Sequence, residues 1–236
     1  ILSSGVTQIN ILVGTIIASF QSGAVSYLYY ADRVYQINLA IAGIAVGTVS
    51  LPVLSKAFKT KNQKKISNIQ NKSLELSLLL SIPASLGLIL ASEEIVNSLF
   101  GYGSFSKDDV LLTAEALKYF GFGVPAFALV KILSNFYFAR DNTKVPFYIS
   151  MLIVILNILI SVSLFSEIGF IIIPIATSIS TWIGVFIYLY LLNLKKALLL
   201  KNQLILNFIK ILVSTIFMSL VLVFTLDSYA IYLEYF

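Results

Sequence analysis

Long apolar runs follow one another through the whole chain, separated only by short polar connections. A helix needs about 20 predominantly apolar residues to cross the hydrocarbon core of a bilayer. About seven segments meet this requirement: residues 1–20, 30–55, 73–99, 112–138, 145–166, 169–193 and 205–226. The sequence therefore predicts an all-α, polytopic membrane helix bundle with about seven transmembrane helices.

The amino-acid composition excludes a soluble protein and disfavours an enzyme. Hydrophobic residues make up 58% of the 236 residues and charged residues 11%, whereas soluble domains have roughly 45–50% and 25%. Since the chain contains no Cys and no His, thiolate chemistry, imidazole bases and the commonest transition-metal ligands are excluded. We therefore expect no enzymatic activity, no cofactor and no metal site.

The basic residues are concentrated in alternate connections between the apolar runs. Six Lys lie between residues 56 and 72, and the later basic connections carry Arg140 with Lys144 and then three Lys between residues 195 and 201. Basic loops stay in the cytoplasm. This pattern predicts a cytoplasmic N-terminus and an external C-terminus. The Lys residues in these loops also explain the net charge of +5. We therefore expect membrane lipids, and no nucleic acid, as partners.

Two adjacent charges, Asp32 and Arg33, lie in the predicted second span. A charge inside a membrane helix costs about 2.5–3.5 kcal/mol on insertion scales and usually marks a functional site. The planar guanidinium of Arg33 suits phosphate, because it donates two parallel hydrogen bonds. Asp32 would then hold the guanidinium when no ligand is present, and Gln36 would add an amide contact. Alternatively, the pair is interfacial and snorkels to lipid headgroups.

Small residues continue from this pair along the same predicted helix. Steps of three and four residues from Arg33 lead through Gln36 and Ala40 to Gly43 and Gly47, which places all of them on one face of a regular helix. That face is expected to line a cavity or to contact a neighbouring helix closely. An ordinary packing seam of small residues remains the alternative.

Several motifs carry a resemblance to a known family. The segment from Ser26 to Ser55, which contains YYADR and LPVLS, resembles the second half of the MurJ (MviN) lipid II flippases of the MOP exporter superfamily. The motifs LFGYGSF (residues 99–105) and FYFARDNTKVP (residues 136–146) follow in the order found in that family. The resemblance covers most of residues 7–195.

The resemblance implies a fold, a substrate and a partner. It implies a flippase with fourteen helices, of which this chain supplies helices seven to thirteen. Residues 1–193 would form the second six-helix lobe of a MOP-type transporter, and residues 194–236 a cytoplasmic basic loop and the start of the extra C-terminal helices. The expected partners are lipid II and an N-terminal lobe. The protein would lie in the bacterial cytoplasmic membrane. Whether the chain is a fragment or a natural short form stays open.

The resemblance also assigns roles to individual residues. Arg33 falls on a family cavity arginine that is important for transport. Lys131 is expected either to reach toward a pyrophosphate or to snorkel to the cytoplasmic surface. Gly14 and Ser161 stand where a sodium site would need acids, which leaves only Asn157 and Thr177 as weak oxygen donors, so no sodium site is predicted.

Other functions are compatible with parts of the sequence. Another MOP exporter, either a polysaccharide-lipid flippase or a cation-coupled multidrug exporter, is the main alternative. A cation exporter would want buried acids facing its cavity, and Asp32 is the main candidate. A lipid-modifying membrane enzyme would need a cluster of catalytic acids, His or metal ligands. A membrane scaffold without transport activity is a further alternative.

Overall fold

The computed structural model describes the backbone of residues 2–234 and, except for residues 1–7, 9, 227 and 229–234, their side chains. This part of the chain is helical and contains no strand, which confirms the predicted fold class. The helices are α1 (Leu2–Ala18), α2 (Ala24–Leu39), a π-helical segment (Ala40–Ala45), α3 (Val46–Lys59), α4 (Gln63–Leu90), α5 (Ser92–Phe100), α6 (Lys107–Phe138), α7 (Lys144–Ile168), a short 3₁₀ turn (Gly169–Ile171), α8 (Ile172–Leu194) and α9 (Asn202–Glu234).

The membrane-spanning helices occupy the positions of the predicted apolar runs. Among the described residues, five segments are long and apolar enough to cross a membrane: Ala24–Lys59, Gln63–Leu90, Lys107–Phe138, Lys144–Leu194 and Asn202–Leu226. The fourth segment contains α7 and α8, which fold back on each other, since Asn157 of α7 bonds Thr177 of α8 and a Cβ on Gly184 would lie 2.3 Å from Ile153. The first predicted span corresponds to α1, which has 17 residues.

The third predicted span was wrong in its bounds. The helix α4 begins ten residues earlier than predicted, at Gln63, and ends at Leu90, whereas the predicted span was 73–99. Ala91 leaves the helical conformation, and α5 then begins separately with Glu93 and Glu94 in its first turn, where carboxylates are favoured by the helix dipole. The predicted connection of residues 56–72 is consequently mostly helical, and Asn62 caps α4 by accepting a hydrogen bond from the Lys65 N–H.

The core of the bundle is built around α6, which packs against α2, α4, α5 and α8. Small residues allow these helices to approach closely. On α4 a row of serines four residues apart faces this helix, and Ser85 Oγ donates a 2.7 Å hydrogen bond to the carbonyl oxygen of Gly121. Ser178 of α8 bonds the carbonyl oxygen of Tyr119 in the same way, at 2.8 Å. The packing of α2, α4 and α8 against α6 therefore determines the positions of these three helices in the bundle.

Candidate functional site

The helix that carries the predicted site residues Arg33 and Gly47 is not a regular α-helix between them. The π-helical segment Ala40–Ala45 separates α2 from α3. A π-helix closes its hydrogen bonds five residues apart rather than four, so it rotates the faces of the two flanking α-helices relative to each other. Gly43 and Gly47 are buried, while Arg33 and Ala40 are exposed. The single stripe expected from a regular helix is therefore not formed.

The two glycines contact α6. A Cβ on Gly43 would lie 3.1 Å from the Cα of Ala128, and one on Gly47 would lie 2.9 Å from Nδ2 of Asn135. Asn135 also donates a 3.0 Å hydrogen bond from that nitrogen to the carbonyl oxygen of Gly47. The close approach of the π-helical segment and of α3 to α6 therefore depends on the absence of a side chain at Gly43 and Gly47, respectively.

Arg33 lies outside this packed face. Its guanidinium carbon is 4.7 Å from the centroid of the Tyr29 ring, a cation–π contact that holds the side chain without neutralising its charge. In the described part of the chain, Asp32 and Arg33 form no ion pair. The carboxylate of Asp32 instead accepts a hydrogen bond from Nε2 of Gln36. The expectation that Asp32 holds the guanidinium is therefore not met.

Asp32 lines a partly open cavity of about 180 Å³ between α1, α2, α6, α7 and α8. The other polar residues of the cavity wall include Asn10, Asn157 and Thr177. Asn157 donates a 2.7 Å hydrogen bond to Thr177, and its side-chain oxygen accepts one from Ser161 at 3.3 Å. The side-chain oxygens of Asn157 and Thr177 are thus already engaged in hydrogen bonds, whereas Oδ1 of Asn10 is buried without a hydrogen-bond partner among the side chains that the structure describes. Within the described residues no group of three or more acids, His or Cys is close enough to hold a metal ion.

Lys131 is not near Arg33. The helices α2 and α6 run in the same direction, because Tyr35 stacks on Phe120 with ring centroids 4.6 Å apart while Gly43 lies against Ala128. Arg33 is therefore level with residues around 119 of α6. Lys131 lies further along that helix by more than ten residues, which is about 15–20 Å at 1.5 Å per residue. Its side chain is exposed.

The sequence interpretation missed a polar cluster that holds the connection between α8 and α9. Gln70 and Asn71 are buried on α4, 1% and 6% exposed. Gln70 donates a 3.2 Å hydrogen bond to the carbonyl oxygen of Ala197, and Asn71 donates one of 2.8 Å to that of Leu199. The backbone N–H of Lys201 bonds back to Asn71 at 3.0 Å. No signal set these two amides apart, because the first three turns of α4 are predominantly polar.

Arg140, from the motif that follows α6, completes this cluster. Its Nη2 donates a 2.5 Å hydrogen bond to the carbonyl oxygen of Ala197, and its guanidinium carbon lies 4.8 Å from the centroid of the Phe58 ring. Burial lowers the pKa of Arg140 from its ordinary value, but an arginine remains charged in proteins. The cluster therefore joins the α8–α9 connection to α3, α4 and the turn after α6.

This connection supplies a stability prediction. Changing Asn71 to Leu removes its hydrogen bonds to the Leu199 carbonyl oxygen and from the Lys201 N–H, and each such bond contributes about 0.5–1.5 kcal/mol. We expect a clearly lower unfolding temperature in detergent. Gln63→Leu, at an exposed position of the same helix, is the matched control. Equal unfolding temperatures for the two variants would show that the cluster does not hold the connection.

The arrangement of the helices identifies the structural class of the protein. A solved multidrug resistance MATE family transporter of the MOP superfamily, in its outward-facing conformation, superposes with a TM-score of 0.72 at 18% identity, over 91% of this chain and 49% of that one. At this identity the likeness shows the fold alone. The chain has the fold of a MOP-superfamily transporter.

The family follows from closer comparisons. A sequence profile of the lipid II flippase MurJ family matches residues 1–235. The probable lipid II flippases MurJ of Rickettsia prowazekii and Rhizobium meliloti are 40% and 39% identical, over 77% and 78% of this chain. A solved lipid II flippase MurJ in an inward closed conformation gives a TM-score of 0.83 at 30% identity, covering 94% of this chain and 46% of that one. The chain belongs to the MurJ family.

The match is confined to part of each relative. It covers 36% of the Rickettsia prowazekii protein and 34% of the Rhizobium meliloti protein, so the chain spans about a third of the length of these relatives. The predicted resemblance to this family is confirmed. The family is one of transporters and not of enzymes. The long apolar helices of this chain make it a multi-pass membrane protein.

Proposed function

We propose that this chain forms the second lobe of a lipid II flippase and contributes Arg33 to the binding of the lipid pyrophosphate. One observation carries the assignment of this residue: a guanidinium on a membrane-spanning helix is exposed, although the adjacent faces of that helix are packed against the bundle. A permanent charge on a membrane helix is costly unless a partner neutralises it. The names of the relatives supply the chemistry of that partner, a lipid-linked pyrophosphate.

Arg33 is prepared for this role by its neighbours. The Tyr29 ring holds the guanidinium 4.7 Å from its centroid and leaves its N–H groups available for two parallel hydrogen bonds to a phosphate. Asp32 is turned away by its bond from Gln36 and therefore does not compete for the cation. In this proposal Asp32 and Gln36 set the side-chain arrangement, while Lys131 faces the membrane surface and takes no part in pyrophosphate binding.

The uncovered face of the α2–α3 segment is the proposed boundary with an N-terminal lobe. Beside Arg33, the apolar side chains of Ile37, Ile41 and Ile44 are 61%, 54% and 49% exposed. A cavity between two lobes would place the cation opposite the other lobe and shield it from lipid. Alternating access would then expose this cavity to each side of the bacterial cytoplasmic membrane in turn.

A chimera tests the proposed function. The chain would replace the matching segment of the Rickettsia prowazekii relative, and the chimera would be expressed in bacteria depleted of their own flippase. We expect growth to be restored, because the second lobe supplies half of the cavity. The control is the same chimera with residues 26–55 scrambled. Failure of a correctly inserted, stable chimera to restore growth would argue against the lipid II assignment.

The proposed orientation has its own test. We expect Lys61 and Lys196 to face the cytoplasm and Ser104 and Glu167 to face outside, because basic loops resist translocation. Since the chain has no native Cys, single Cys substitutions at these positions report accessibility directly. A membrane-impermeant thiol reagent should label the second pair in intact cells and the first pair only after lysis. Labelling of Lys61→Cys in intact cells would contradict the orientation.

A further inference from the structure

A charged groove, separate from the site around Arg33, lies between the start of α9 and the beginning of the apolar part of α4. Its volume is about 430 Å³, and its wall includes Lys72, Glu75, Leu76, Lys201 and Leu204. None of these residues belongs to the proposed pyrophosphate site. Lys201 directly precedes the apolar segment Asn202–Leu226. The groove therefore lies where the hydrocarbon region gives way to the headgroup layer.

Hydrogen bonds fix the walls of this groove. Asn71 joins α4 to the chain just before α9 through its 3.0 Å bond from the Lys201 N–H. Further along, Nδ2 of Asn207 donates a 2.8 Å hydrogen bond to Oε1 of Glu75. The ammonium of Lys201 donates to the side-chain oxygen of Asn68. These contacts hold α4 and α9 together beside the groove, so the relative position of the two helices does not depend on a ligand.

The charges and apolar groups of the groove match one kind of ligand. Lys72 and Lys201 are two cations suited to a phosphate, while Glu75 can accept further hydrogen bonds besides the one from Asn207, since a carboxylate has about four acceptor sites. Exposed apolar side chains continue from the groove along both helices, including Leu76 and Leu80 on α4 and Ile209 on α9. These would contact acyl chains.

We propose that this groove binds the headgroup of an aminophospholipid from the surrounding membrane. The phosphate lies between Lys72 and Lys201, and the primary ammonium donates hydrogen bonds to Glu75. An anionic lipid without an amine satisfies the lysines but offers Glu75 no cationic donor besides its bond from Asn207. A choline lipid carries a cation that has no N–H to donate. The proposal requires only that the chain is embedded in a membrane and is independent of the transported substrate.

Native mass spectrometry of the purified chain with added lipids tests this proposal. The probes are phosphatidylethanolamine, phosphatidylglycerol and phosphatidylcholine with identical acyl chains. We expect phosphatidylethanolamine to bind about tenfold more tightly than the other two, since it alone of the three offers the N–H groups of a primary ammonium to Glu75. Millimolar glycerophosphoethanolamine should not displace it, because the soluble headgroup lacks acyl chains. Equal binding of the three lipids, or displacement by the soluble compound, would overturn the proposal.

Single substitutions test which residue binds the phosphate and which binds the ammonium of the headgroup. Lys72→Gln should weaken the binding of both phosphatidylethanolamine and phosphatidylglycerol, whereas Glu75→Gln should remove only the preference for phosphatidylethanolamine. Lys64→Gln is the matched control, because it removes the same charge from an exposed position of α4 outside the groove. Unfolding temperatures confirm that the variants are folded. Unchanged lipid preference in Glu75→Gln, or equal losses in Lys64→Gln and Lys72→Gln, would contradict the assignment.

Discussion

Replacing Arg33 by Ala should abolish lipid II transport by the chimera while leaving its membrane insertion and stability unchanged. The side chain is exposed and its described contact is with the Tyr29 ring, so its removal leaves no hole in the packed bundle. Truncating one partner of a desolvated charge pair costs about 2–5 kcal/mol, which corresponds to a loss of at least about 30-fold. The appearance of lipid II in the outer leaflet of flippase-depleted cells measures this loss.

Three further variants sharpen this prediction. Arg33→Lys should retain only part of the activity, because a point charge cannot reproduce two parallel hydrogen bonds. Asp32→Asn should be milder, since the carboxylate accepts from Gln36 and does not hold the guanidinium. Lys131→Ala should transport normally, as it is exposed and distant. If Arg33→Ala transports at the wild-type rate while Asp32→Asn does not, Arg33 does not recognise the phosphate.

Replacing both Gly43 and Gly47 by Leu should strongly destabilise the bundle. Even a Cβ would lie 3.1 Å from the Ala128 backbone at the first position and 2.9 Å from the hydrogen-bonded Asn135 side chain at the second. Overpacking costs about 1–3 kcal/mol for each site, so we expect a combined loss of about 2–6 kcal/mol. The unfolding temperature in detergent measures it.

The matched control for the glycines is Ile44→Leu. Ile44 lies between them in sequence but is 49% exposed, so an isomeric apolar side chain should be tolerated with little change. A double glycine variant that unfolds at the same temperature as Ile44→Leu would show that these glycines face lipid and do not contact α6.

The sequence predicted the architecture well because hydrophobic run length is set by the thickness of the bilayer. The motif around Asp32 and Arg33, together with those at residues 99–105 and 136–146, likewise indicated the family. The bounds of α4 were harder to predict, since its first turns, residues 63–72, are predominantly polar, and Ala91, where the helix ends, is neither Gly nor Pro. An apolar run does not by itself show where the backbone leaves the helical conformation.

The arrangement of the second span was not predictable from periodicity. A step of 3.6 residues assumes a regular α-helix, and the π-helical segment Ala40–Ala45 breaks that assumption without a Pro or a polar signal inside it. Adjacent helical residues also point in different directions. That rule separates the side chain of Asp32, which lines the partly open cavity, from that of Arg33, which is exposed. The cluster around Asn71 required knowledge of the tertiary structure, because its partners lie more than 120 residues away.

The most direct test of the proposed function is lipid II translocation by the purified chimera in liposomes. Fluorescent lipid II would be placed in both leaflets, and a membrane-impermeant reagent would quench the outer one. We expect the chimera to make the protected inner fraction accessible, and empty liposomes and the Arg33→Ala chimera to leave it protected. A chimera that is folded and inserted but leaves lipid II in its original leaflet would contradict the proposal that this chain forms the second lobe of a lipid II flippase.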